Sequence, residues 1–246
     1  MLAVVWQSCA GGARVLRVLG DTPCPVVPHA VDGVPVVEIG PYCFADKPVT
    51  GGTLWPADSA DTHEITGNFV EEVTLPDAVR VIDSAAFYNC RRLRRVALGP
   101  AADSFGSDLF TNCRSLQTLE LHAAPGEPTG LRRLLVAISA DVTVAFTGGA
   151  RLFYPEYFEL LDENTPAHIF NHSIEGEGYR MRQCFAPDGS LDFAAYDASF
   201  AQACVGESEE KLCKLALGRL CLPYALSDDA RADGAAAFAD GEAQLL

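Results

Sequence analysis

The chain has 246 residues, 49% of them apolar, with 33 acidic and 18 basic residues and a formal charge of −15. That length holds one or two cores, and the apolar fraction is ample for globular packing. The charge argues against nucleic acid as a partner, because an acidic surface repels phosphate backbones. No apolar run approaches membrane-spanning length, so no membrane role is expected.

Met1 to Trp6 is apolar but short, and no Lys or Arg precedes it. A signal sequence needs a basic start and a longer apolar run, so the expected location is cytoplasmic. Residues 2–6 and 14–19 read as two strands joined by a turn at Gly11-Gly12, capping the body that follows. Residues 45–68 are rich in turn formers and lack periodicity, so they read as a surface loop inserted into that body. Trp55 is the one large apolar group in this loop. It either tucks against the body or serves as an exposed anchor for a partner.

The stretch from Val73 to Leu121 is written three times over. Val73-Thr74-Leu75, Val96-Ala97-Leu98 and Leu119-Glu120-Leu121 follow one another at an offset of 23. The same offset carries Ile82 onto Phe105, Phe87 onto Phe110, Asn89-Cys90 onto Asn112-Cys113 and Leu93 onto Leu116. A period in the twenties means a solenoid, in which each unit buries the apolar side of its neighbour. Val96 and Leu98 point one way along a short strand, and Arg95 and Ala97 the other. Glu71 and Glu72 lie one period before Arg94 and Arg95, so acid should meet base across stacked strands. The alternative use of the Arg91, Arg92, Arg94 and Arg95 cluster is a patch for an acidic partner.

The run from Val73 through Pro76, Val79, Ile82 and Ala86-Phe87 to Cys90 resembles the BspA-type leucine-rich repeat. The next copy is degenerate, with Gly99-Pro100 at the strand end and Leu109 before Phe110. Val26 to Gly40 looks like the family's entry unit, with Tyr42-Cys43-Phe44 at its Ala-Phe corner. The resemblance covers about residues 13–146, and it implies a protein-binding scaffold with no substrate or cofactor. Cys43, Cys90 and Cys113 are expected as buried, reduced thiols at corresponding corners.

Asp141 to Phe146 alternates like a last strand, and Gly148-Gly149 ends the repeat part. Beyond it, residues 151–164, 191–205, 207–222 and 227–239 read as helices. Residues 152–246 hold 17 acids and 6 bases, or −11. The expected fold is therefore α+β, with short parallel strands stacked in a solenoid over 1–150 and a small, acidic, all-α domain over 151–246.

Chemistry is sparse. His168 and His172, four apart, would share a helix face, but Pro166, Gly176 and Gly178 argue against a helix there, and no metal site is expected. Arg180 and Arg182 could lower the pKa of Cys184. No triad order is present, and Glu177 opposes a phosphate loop at Gly176 and Gly178. The expected function is a non-enzymatic protein-interaction module with an unnamed protein partner and no cofactor. Its candidate surface comprises Glu72, Arg94, Arg95, Thr118, Trp55, Tyr179, Arg180 and Arg182. The rivals are an enzyme or regulator with a site around His168, His172, Arg180 and Cys184, and an exported adhesin.

Overall fold

The computed structural model describes residues 2–57, 63–164 and 169–206, together with 208–210, 212–213 and 216. β1 (Ala3–Cys9) and β2 (Gly12–Leu19) form the expected antiparallel hairpin. β3 (Ala30–Val31) and β4 (Val34–Ile39) follow, and β4 runs parallel to β2. β5 (Thr53–Trp55) then returns against the free side of β1. The segment expected as a loop thus adds an edge strand, because β1 otherwise exposes a row of unpaired backbone groups. Trp55 is partly buried against the core, which is the tucked arrangement.

A 3-10 turn over Gly67–Phe69 leads into the repeat. The units then lay down two strands each, in the order β6 (Glu72–Thr74), β7 (Val81–Ile82), β8 (Arg95–Leu98), β9 (Ser104–Phe105) and β10 (Thr118–Leu121). α1 (Leu131–Val136) and β11 (Val142–Phe146) close the series. Val73, Val96, Leu119 and Val144 stand side by side in parallel register, all buried. The entry unit joins this sheet through a parallel bridge of Val26 to Thr74. On the other side, β4, β7 and β9 stack in parallel as a second sheet. The solenoid inferred from the 23-residue period is therefore present. Gly99 stands where its unit passes the previous one, and a Cβ there would overlap the Asp77 backbone. This is why the repeat is degenerate at that point.

The helix expected over 151–164 is absent. β12 (Arg151–Tyr154) instead pairs antiparallel with β11, and β13 (Phe158–Asn164) pairs with β14 (Ile169–Glu175). Gly148 and Gly149 both take positive φ, which turns the chain straight back onto the open edge of β11. That edge needs backbone partners, and residues 151–154 supply them as a strand rather than opening a helix. The C-terminal part is accordingly not all-α. α2 (Gly178–Met181) is short, and α3 (Phe193–Gly206) matches the helix expected over 191–205. Residues 209–210, 212–213 and 216 are helical within the stretch expected as 207–222. The helix expected over 227–239 lies outside the described residues.

One apolar cluster runs from Val4 through the solenoid to Tyr196 and Ala203 of α3. Phe153, Tyr154 and Tyr157 are buried at the end of the solenoid, whereas Phe158 is exposed.

Candidate functional site

Each corner of the repeat repeats the same contacts. The rings of Phe44 and Phe87 stack at 5.1 Å, and those of Phe87 and Phe110 at 5.4 Å. The Phe44 amide donates to the Ala86 carbonyl, and the Phe87 amide to that of Leu109. Asn112 Nδ2 donates to Asn89 Oδ1 at 2.8 Å, and both asparagines sit at positive φ, which Asn tolerates better than most residues. The Cys90 thiol faces the Phe44 carbonyl at 3.2 Å, and the Cys113 thiol faces that of Phe87 at 3.0 Å. All three expected thiols are buried and free. Their equivalence needs one correction: Cys43 directly precedes Phe44, so it matches Ala86 and Leu109, while Cys90 and Cys113 match each other.

The outward face of the sheet β6–β8–β10–β11–β12 carries the paired charges. Glu72, Arg95 and Thr118 are lateral neighbours. Arg95 Nε lies 2.9 Å from Glu72, and its Nη1 lies 2.6 Å from Glu120. His122 continues the row, 3.8 Å from Glu120 and 2.6 Å from Asp77. Arg94 and Arg92 both pair with Glu71, Arg94 at 2.8 Å. The lateral acid-to-base pairing inferred from the period is thus in place. Burial by itself would lower the pKa of Arg95, but the hydrogen bonds it donates to Glu72 and Glu120 and their negative charges outweigh it, so the net shift is upward.

Arg182 is not a surface residue. Its guanidinium is fully buried and donates to the carbonyls of Ile138 at 3.0 Å, Ala140 at 2.7 Å and Gly178 at 2.9 Å, and also to that of Pro155. The rings of Tyr157 and Tyr154 lie 5.1 and 5.9 Å from it. Burial lowers its pKa to about 10, which leaves it charged at neutral pH. Gly178 is required beside it, since a Cβ there would strike the Pro155 carbonyl and Arg182 itself. Arg17 plays the same part at the other end. It is fully buried and donates to the carbonyls of Cys43, Ala45 and Lys47, with Glu64 at 3.4 Å. Cys43 opens the first corner, where no earlier unit supplies a donor, so Arg17 replaces the missing amides. Sequence reasoning missed both arginines. The signal for Arg17 was a lone cation in the apolar run Val15-Leu16-Arg17-Val18.

Of the rival site around Cys184, His172 lies in strand β14, and His168 lies outside the described residues. Arg180 is exposed and pairs with Glu177 at 3.4 Å. The Cys184 thiol is 3.4 Å from Ser199 Oγ, and burial raises its pKa, the opposite of an activated nucleophile. The Tyr179 ring leans on Tyr157 at 5.5 Å. A cleft of about 520 Å3 lies between 128–133 and 186–189. Its two cations are already engaged, Arg132 by Gln183 and Arg133 by the Asp103 carbonyl. Among the described residues, no group of three or more His, Cys, Asp or Glu is placed to hold a metal, and no helix is long and apolar enough to cross a membrane.

Stacked parallel strands, a column of corner phenylalanines and a matching asparagine ladder define a leucine-rich-repeat solenoid. Residues 65–126 match the family described as BspA type Leucine rich repeat region (6 copies), and this segment is such a repeat region. At 23 residues a unit it holds between two and three copies, a part of the six-copy pattern. No curated protein and no solved structure matches the chain.

Proposed function

We propose that the chain is a non-enzymatic protein-interaction module that works in the cytoplasm. Its partner-facing surface is the outward side of the five-stranded sheet around Glu72, Arg94, Arg95 and Thr118. The carrying observation is the chain of charge pairs Glu72–Arg95–Glu120–His122–Asp77, which links side chains of the stacked units. Such a row offers a flat, regular, charged surface, and solenoids commonly bind proteins through surfaces of this kind. Trp55, Tyr179 and Arg180 lie on other elements and take a peripheral role in this reading. The two parts of the chain divide the work, with 1–150 as the scaffold and 151–246 as an acidic accessory part. The eight free cysteines among the described residues support a reducing compartment.

Affinity capture from the native cell tests the surface. The parent chain should retain a partner that an Arg94→Glu, Arg95→Glu variant, still folded by its cooperative melt, loses. Equal capture by both would remove the sheet face from consideration.

A further inference from the structure

The column of corners has an open end. Each corner hands its amides to the next, that of Phe44 to the Ala86 carbonyl, that of Phe87 to Leu109 and that of Asn89 to Thr111. The equivalent amides of Phe110 and Asn112 have no acceptor among the described residues. The 23-residue offset puts Arg133 where a fourth Phe would fall, and Arg133 lies in α1 instead of a corner. A cleft of about 340 Å3 is left between the last corner and residues 137–140. That corner is also the least covered, with Phe110 8% and Cys113 9% accessible against 0% for Phe44, Phe87 and Cys90. Arg114 lines the same cleft, and its guanidinium has no hydrogen-bond or ion partner among the described residues.

A fourth corner sequence lies elsewhere in the chain. An apolar residue followed by Phe, with Asn or Asp two positions after the Phe, occurs four times. Three of these are the corners Cys43-Phe44-Ala45-Asp46, Ala86-Phe87-Tyr88-Asn89 and Leu109-Phe110-Thr111-Asn112. The fourth is Ala237-Phe238-Ala239-Asp240, which lies outside the described residues. Asp240 stands where Asn89 and Asn112 take positive φ, which Asp also tolerates. Gly241 replaces the thiol of the second and third corners.

We propose that residues 236–240 dock in this cleft as a fourth corner and latch the open end of the chain's own solenoid. The carbonyls of Ala237 and Ala239 take the amides of Phe110 and Asn112, as Leu109 and Thr111 take those of Phe87 and Asn89. The Phe238 ring covers that of Phe110, and Asp240 meets Arg114. Charge agrees, since residues 227–246 hold five acids and one base. Gly234 weakens the helix expected over 227–239 just before these residues and leaves them to take the corner shape. Reach also agrees. Arg182 joins the C-terminal part to the cleft wall through the Ile138 and Ala140 carbonyls, and the Tyr196 hydroxyl of α3 donates to the Phe153 carbonyl at 2.8 Å. Phe238 follows Ala216, the last described residue, by 22 positions, which span up to about 70 Å when extended. A latch of so few contacts opens well before the solenoid unfolds, so unfolding midpoints read Phe110 with its single inner neighbour. The latch is independent of what the outward sheet face binds.

Amide hydrogen exchange of the full chain, followed by NMR, tests this. The Phe110 and Asn112 amides should exchange slowly in the parent and about tenfold or more faster in Phe238→Ala, because the latch opens more often. The Phe44 and Phe87 amides, whose acceptors lie inside the stack, should be unchanged and show that the variant is folded. A capped peptide of residues 232–246 added to Phe238→Ala should restore the slow exchange, and the same peptide carrying Phe238→Ala should not. Equal exchange of Phe110 and Asn112 in parent and variant, fast or slow, overturns the proposal. So does protection in the parent that grows with its own concentration, since the occupant would then be a second copy.

Discussion

Replacing Phe87 with leucine keeps a buried apolar side chain but removes both ring contacts at the centre of the corner column. Phe87 is fully buried, with its ring 5.1 Å from Phe44 at an interplanar angle of 5° and 5.4 Å from Phe110 at 10°. An aromatic pair contributes ~0.5–1.5 kcal/mol beyond its area burial, so losing two costs about 1–3 kcal/mol. Phe110 has one stacked neighbour in this column, and Phe110→Leu should lose about half as much. Truncation to alanine also leaves a cavity, and Phe87→Ala should cost ~3–5 kcal/mol. The single apolar cluster joining solenoid and α3 predicts one cooperative transition, so urea unfolding reads these differences from the midpoints at a shared slope. If Phe87→Leu costs no more than Phe110→Leu, the rings do not act as a column and the stacking argument fails.

Three further outcomes are expected. Arg182→Leu removes the guanidinium from the carbonyls of Ile138, Ala140 and Pro155, while that of Gly178 keeps the residue-182 amide, and should cost about 3–5 kcal/mol; Arg182→Lys should not restore it because an ammonium lacks the planar fork, and a melt overlapping the parent would refute this role. Burial pushes the thiols of Cys43 and Cys113 from an ordinary 9.0 to about 12, and that of Cys90 further upward. These thiols keep their protons in the fold and lose them in the unfolded chain above pH 9. Stability should therefore fall as pH rises from 9 towards 12, and Cys90→Ala with Cys113→Ala should flatten that fall in melts taken at rising pH. Arg95→Ala breaks a part-exposed pair of ion bonds and should cost only about 0.5–1 kcal/mol, shrinking in high salt; an unchanged loss in 1 M salt would point to packing rather than charge.

The repeat was readable from the chain because its determinants are local and recur. The 23-residue offset places Val73, Val96 and Leu119 in one row, aligns Glu72 with Arg95, and stacks Phe87 on Phe110. Each unit meets its neighbour in the same way, so the period alone sets the contacts. Where neighbours differ, local pattern was not enough. Residues 151–154 became a strand because β11 left an open edge, and β5 formed because β1 did. Arg182 looked like a surface cation, yet Ile138, Ala140, Pro155 and Gly178 aim their carbonyls at one point from distant positions in the chain. Arg17 meets the first corner in the same way, at the place where the series of donors has no predecessor. Sequence by itself determined the inside of the stack, where every unit supplies its neighbour's partners. Tertiary structure decided its two ends, where backbone groups lose those partners and must take whatever donor or edge the rest of the chain brings to them.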